Sequence, residues 1–365
     1  MNPTPLYFVW SYNDVDRAFW AQHLEDWLPR RILDAHTHVM NPALRLAPMT
    51  DEMRRQYWAN EVLEPIAAPT AQHCHSMVFP GRDVNCVALG MPDLDYALEA
   101  GNEYVRLECL RRGWHSLIVV RPQWTAEKVA AELSKPAVIG IKPYYALISL
   151  NRQTRDAHLE AGIFDFLPHH ILEMVNDRHA WVTLHVPKAE RLGHPENIRE
   201  IREIRRRYPS AILVIAHLGR SYTAPHALEG LVPLADDPGI YFDTSAVLNP
   251  ACHRMALQHI GLERILYGTD NPAMYMRGRR QYRARTYVNR TNHNFHFNKD
   301  REPPEVEAQY TLYMYEDLRA LKQACEALGI VERRQIEAIF HDNAARLIEW
   351  VLAHKSGRDA GGSAQ

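Results

Sequence analysis

The chain has 365 residues, of which 46% are hydrophobic and 24% charged. These are values of an ordinary soluble globular protein and exclude a disordered, collagen-like or coiled-coil chain. Lysine and arginine total 42 against 44 acidic residues, so a nucleic-acid-coating protein is not expected and charge-based recognition must be local.

Cys74, Cys86, Cys109, Cys252 and Cys325 are scattered without a CxxC pair. A disulfide framework or zinc ribbon is therefore not indicated, and a reducing cytoplasm fits best. Asp14, Asp16 and Arg17 stand where a signal peptide needs an apolar run, and no later stretch stays uncharged long enough to span a bilayer. Neither secretion nor membrane insertion is expected. The 20 histidines are the compositional oddity, since histidine is the commonest metal ligand and a neutral-pH acid or base.

In chain order, residues 1–31 read as a lead-in segment with a helix capped by Asn13. Short apolar runs then begin near Ile32 (ILDAH), Val84 (VNCVALG), Ser116 (SLIVV), Val138 (VIGIK), Trp181 (WVTLH), Ala211 (AILVIAH), Gly239 (GIYFDTS) and Arg264 (RILYGTD). Several are apolar at nearly every position, as strands buried on both faces of a parallel sheet require. Helices are expected between them, over Asp93–Gly113, Thr125–Ser134 and Pro195–Pro209, where Ile198, Ile201, Ile204 and Tyr208 recur at helical spacing. Excursions at 39–83 and 272–303 follow the first and eighth strands. Closing helices near 305–328 and 332–353 precede a tail, 354–365, expected to be disordered.

This alternation predicts an α/β fold, a (β/α)8 TIM barrel occupying 32–353 as a single domain. An open doubly wound sheet has the same alternation, but no GxGxxG or Walker A turn follows the first strand.

In a barrel the active site lies at the C-terminal strand ends. Here those ends carry Asp34-Ala35-His36-Thr37-His38, Lys142, His185, His217, Asp243 and Asp270. His36 and His38, two apart in extended chain, share a face and can bind one cation. With His185 and Asp270 the set is three nitrogens and a carboxylate oxygen, suited to Zn2+ and tolerable for Mn2+ or Fe2+. A divalent cation lowers the pKa of a water and polarises a carbonyl, and Asp270 is placed to accept the water's proton. Alternation turns Asp34 to the same side as His36, one layer lower, in a supporting role.

HTH, GIKPYY, TLHV, IAHLGR, YGTDNP and HDNAARLI occur in this order between Ile32 and Ile348. In these motifs the sequence resembles the amidohydrolase superfamily, specifically the branch that also holds non-oxidative metal-dependent decarboxylases. The resemblance implies a metal on His36, His38, His185 and Asp270, with His217 and Asp270 as catalytic groups. Lys142, Tyr144, Arg220 and Asn271 are expected substrate contacts. One metal is expected, although a carbamylated Lys142 bridging two metals occurs in some relatives.

The implied activity is hydrolysis of an ester, lactone or amide in a small carboxylated molecule. Decarboxylation is the alternative, and a catalytically inactive binding module the remote one. A cytoplasmic homo-oligomer acting on an anionic small molecule is expected.

His73-Cys74-His75 is read as a loop or surface element of the first excursion. The second carries Arg277, Arg279, Arg280, Arg283, Arg285, Arg290, Lys299 and Arg301 against Asp300 between residues 277 and 301. Tyr275, Tyr282, Tyr287, Phe295 and Phe297 are interleaved. One or more of these arginines is expected to join Arg220 on a substrate carboxylate, with a subunit contact as the competing use.

Overall fold

The eight apolar runs form one parallel sheet whose spatial order follows the chain. In the computed structural model, which describes residues 5–7, 10–56, 58–62, 65–151 and 156–361, the strands are β1 (Arg31–His38), β2 (Asp83–Leu89), β3 (His115–Val120), β4 (Val138–Pro143), β5 (Trp181–Leu184), β6 (Ile212–Ile215), β7 (Ile240–Asp243) and β8 (Ile265–Leu266). Each begins within one residue of its expected start. The sheet curls until its first and last strands meet. Ala35 N–H donates to the Tyr267 carbonyl at 2.9 Å, Asp270 N–H to His36 at 2.8 Å, and His38 N–H to Asn271 at 2.8 Å. This is the expected (β/α)8 barrel.

Leu33, Val87, Leu117, Ile139, Trp181, Val214 and Leu266 fill the barrel interior. Helix α10 (Asn343–Gly361) closes the N-terminal end of the barrel with Leu347, Ile348 and Val351. Helix α10 continues past 354 to Gly361, and Lys355 Nζ donates to the carbonyls of Lys135 and Val138 beneath β4. Residues 362–365 lie outside the described residues.

The lead-in helix α1 (Asp14–Phe19) starts at Asn13, whose side chain accepts from Val15 and Asp16 N–H while Asp16 returns a bond to Asn13 N–H. The first excursion contributes α2 (Ala68–Val78), and the connections α3 (Leu98–Arg112), α4 (Ala126–Ser134), α5 (His169–Asp177), α6 (Pro195–Arg207), α7 (Ala224–Leu231) and α8 (Pro250–His259) follow. Helix α3 starts five residues later than 93, since Asp93 accepts Asp95 N–H in a turn and Ala97 N–H donates to Leu44. The helix expected near 305–328 is split into a helical turn at Pro304–Glu307 and helix α9 (Tyr313–Ala327). Leu312 instead bridges Arg277, and Tyr313 N–H donates to Met276.

The His73-Cys74-His75 run is helical, not a loop. Within α2, Cys74 and His75 are buried against the barrel and only His73 faces out. The second excursion is an antiparallel ribbon of β9 (Gly278–Arg283) and β10 (Thr286–Thr291), pairing Arg280 with Asn289 and Tyr282 with Tyr287. All five cysteines are buried free thiols. Among the described residues no helix is long and apolar enough to cross a membrane.

Candidate metal centre and substrate cavity

A cavity of about 600 Å3 opens at the C-terminal strand ends. His36, His38, Lys142, His185, His217 and Asp270 line its floor. Their convergence begins with an irregularity in β1. Pairing to β2 shifts between Asp34 and Thr37, which face Cys86 and Ala88 respectively, so three residues advance against two. The bulge turns His36 into the barrel and leaves Asp34 outside it, near His75 of α2 and Cys86. Asp34 is therefore on the opposite side from His36, contrary to simple alternation. It accepts N–H bonds from His36 (3.1 Å) and Thr269 (2.9 Å) and the Thr269 hydroxyl (2.6 Å), clamping β1 to the turn that carries Asp270.

His38 Nδ1 lies 3.1 Å from the Gly90 carbonyl, and His36 Nδ1 3.0 Å from Asp243 Oδ2. A carbonyl only accepts, so His38 Nδ1 carries the hydrogen, and ionised Asp243 selects the same tautomer for His36. Both Nε2 atoms are then lone-pair acceptors. Lys142 Nζ donates to His36 Nε2 at 3.2 Å. His36 Nε2 and His38 Nε2 face Asp270 Oδ1 at 3.7 and 3.2 Å, and each of the three residues offers a ligand atom within 4.8 Å of the other two. Lys142 supplies a hydrogen to one of these acceptors, but His38 Nε2 and Asp270 Oδ1, 3.2 Å apart, repel unless a proton or a metal cation lies between them.

Burial, then the Lys142 ammonium, lowers the His36 pKa to about 4, so its ring is neutral at pH 7. Burial alone would raise Asp270, but a hydrogen on His38 Nε2, where a proton fills the gap, and the charge of the imidazoles hold it well below the usual carboxylate range. Asp243 is also buried, yet His36, His217 and the Ser245 hydroxyl keep it ionised with a pKa of about 2. Burial brings Lys142 down to about 8.

His185 does not join the tight group. Its ring meets His217 edge-on at 5.3 Å and Tyr144 at 5.0 Å, while its buried Nδ1 has no hydrogen-bond partner among the described residues. His217 stacks on His36 at 5.0 Å and is held by Ser245 Oγ, 2.8 Å from its Nδ1. The backbone is strained where it carries these groups. His217, Leu218, Arg220 and Asp270 have φ of 56°, 48°, 61° and 59°, a region that residues with a Cβ avoid. Between them Gly219 has φ 69°, and a Cβ there would lie 2.4 Å from Leu192 Cδ2.

Tyr144 and Arg220 line the cavity. Asn271 does not. It is buried behind the wall, giving its carbonyl to His38 N–H and directing its side-chain nitrogen at Met314 Sδ. Half of the basic excursion is likewise engaged elsewhere: Arg277 with Asp16, Arg279 with Glu302, Arg285 with Glu229 and Arg301 with Glu307. Arg280 and Lys299 do reach the cavity. Along β9 the odd-numbered Arg279, Gln281 and Arg283 face out, and Arg280 and Tyr282 face in.

Asp243 and Ser245 hold the two rings at the centre, a role the residue types alone did not reveal. The available signal was the position of Asp243 at the end of an apolar strand. Tyr222, which also lines the cavity, gave no such signal.

The family model described as Amidohydrolase matches residues 33–350. Among curated proteins none matches the chain. Similar solved structures include an amidohydrolase from Burkholderia multivorans with bound HEPES (13% identity, TM-score 0.55, covering 87% of this chain and 99% of that one). A putative 2-pyrone-4,6-dicarboxylic acid hydrolase from Pseudomonas putida has 16% identity and TM-score 0.51, covering 88% and 98%. The 5-carboxyvanillate decarboxylase of Novosphingobium aromaticivorans, complexed with manganese and a nitrobenzoic acid, has 12% identity and TM-score 0.53, covering 89% and 97%. At these identities the likeness is one of fold.

Proposed function

Because the chain belongs to the amidohydrolase family, whose model spans residues 33–350, we propose that it is a metal-dependent hydrolase of an ester, lactone or amide bond in a small carboxylated molecule. The observation that carries this reading is the convergence of the His36 and His38 lone pairs on Asp270, with both Nδ1 atoms tied off. Zn2+ fits this nitrogen-rich set best, with Mn2+ or Fe2+ as neighbours in preference. A zinc-bound form of the Burkholderia amidohydrolase and the manganese-bound decarboxylase are fold relatives that carry such ions.

His36, His38 and Asp270 would hold the ion, and His185 would complete the set through a ring nitrogen that now lacks a partner. The ion supplies Lewis acidity, lowering the pKa of a water toward about 7 and polarising a carbonyl. Asp270, strongly ionised and 17% exposed on its side chain, takes the water's proton and passes it to the leaving group. His217 donates its Nδ1 hydrogen to Ser245, so its other ring nitrogen presents a lone pair that accepts from the attacking water and orients it. Tyr144 and Arg220 orient the substrate from the wall.

Decarboxylation is the second reading, and Lys142 favours it. Its buried ammonium is an acid in the same cavity, able to protonate the carbon as its bond to the carboxylate breaks.

Metal analysis joined to a screen of lactones, amides and aromatic carboxylates tests both. Hydrolytic product with one equivalent of metal is expected, and Asp270→Asn should lower turnover by about 10^2–10^4-fold. Carbon dioxide release without net hydrolysis would replace the first reading by the second. Near-normal turnover in Asp270→Asn would remove that residue from the mechanism.

A further inference from the structure

Three guanidinium groups gather at one side of the cavity without an acid to neutralise them. Arg280 of β9 has its Cζ 4.5 Å from the Tyr287 ring centroid and 5.1 Å from that of Tyr222. Arg191 flanks the same two rings, 5.4 Å from Tyr222 and 6.0 Å from Tyr287. Burial, and after it the charges of Arg220 and Arg280, opposes ionisation of Arg191. The hydrogens of this group go to neutral acceptors. Arg220 donates to the Lys188 carbonyl (2.8 Å), Arg280 to the Ala246 carbonyl (2.9 Å) and Asn289 Oδ1 (3.0 Å), and Arg191 to the His226 ring.

No ion pair to a carboxylate involves any of the three among the described residues, whereas Arg277, Arg279, Arg285 and Arg301 on the same excursion each have one. Holding like charges together is costly, and aromatic faces offset only part of that cost. An oxyanion placed among them removes the repulsion. A planar carboxylate matches the guanidinium fork and packs against tyrosine rings. Arg220, Tyr222, Arg280, Tyr287 and Asn289 line the cavity; Arg191 stands behind them.

We propose that Arg220 and Arg280, backed by Arg191, form a carboxylate subsite separate from the His36–His38–Asp270 cluster. The substrate then carries an acid group remote from the bond that reacts. The proposal rests on the hydrolytic reading for its reacting bond but not for its own test. It also assigns a purpose to the ribbon: strand alternation turns Arg280 inward while Arg279 and Arg285 are held by acids outside.

Titration calorimetry of the zinc-loaded protein with benzene-1,3-dicarboxylate and benzoate reads the subsite without turnover. The dicarboxylate is expected to bind about 30-fold more tightly. Arg280→Met and Arg220→Met should each shrink that gap to about threefold, and Arg280→Lys should restore part of it. Arg285→Met, whose guanidinium normally pairs with Glu229, should leave the gap unchanged. Equal affinities in the unmodified protein, or a gap that survives both methionine substitutions, would overturn the subsite while leaving hydrolysis untouched. Tighter binding of inorganic phosphate than of the dicarboxylate would overturn the carboxylate assignment. If zinc does not bind, the metal reading fails, and the same titrations on the metal-free protein still decide the subsite.

Discussion

Replacing Asp243 by asparagine should act on the metal through a histidine that Asp243 holds. The carboxylate is fully buried and accepts His217 N–H at 2.9 Å and Ser245 N–H at 3.2 Å through Oδ1, and faces His36 Nδ1 at 3.0 Å through Oδ2. In Asp243→Asn the amide oxygen can still serve the two backbone N–H groups. The amide nitrogen then faces His36 and donates where the carboxylate accepted. His36 must respond by moving its hydrogen from Nδ1 to Nε2, the atom directed at Asp270. A protonated Nε2 cannot ligate a metal. Loss of a carboxylate behind a metal-binding histidine weakens affinity by about 10–100-fold, equivalent to about 1.4–2.7 kcal/mol. Competition with a chromophoric chelator measures this directly, and circular dichroism confirms that the barrel is intact. An unchanged dissociation constant in a folded Asp243→Asn protein would refute the tautomer reasoning.

His36→Ala and His38→Ala should each lose stoichiometric metal on dialysis against a mild chelator while keeping the barrel's circular dichroism, because each removes one of the converging nitrogens. Arg277→Met strands the buried Asp16 carboxylate, which then keeps only the Thr311 hydroxyl (2.8 Å) and Asn13 N–H (2.9 Å). It should cost about 3–5 kcal/mol in denaturant unfolding, and a loss below about 1 kcal/mol would contradict the burial argument. For His75, burial lowers the pKa from 6.5 to about 4, so the unfolded chain binds a proton at a pH where the folded chain does not. The neutral ring's contribution is complete above pH 6.5 and is lost as pH falls toward 4, by up to about 3 kcal/mol. His75→Phe should flatten the stability profile over that window, and an unaltered slope would show that other groups set it.

The barrel was legible because strands covered on both faces must be apolar throughout, and runs such as AILVIAH and SLIVV have few other uses. The polar residues ending those runs stood out for the same reason. What escaped was set by single-residue geometry. The bulge after Asp34 reverses the facing that alternation assigns, and nothing in DAHTH marks it. The β9–β10 ribbon was hidden because its outward positions are arginines, which in sequence look like a solvated loop. Composition flagged the arginine excess, but only pairing partners distant in the chain, such as Asp16 for Arg277 and Glu229 for Arg285, separate the engaged guanidinium groups from Arg280.

The clamp between Asp34 and Thr269 joins groups 235 residues apart, and His36, His38 and Asp270 sit on the two sides of that same seam. A partly folded chain with its first seven strands in place lacks Asp270, so the site is completed only when the last strand docks against the first. Cation uptake during refolding is therefore a clock for barrel closure. An ion held there would act as a rivet across the one join in the sheet that the chain reaches last.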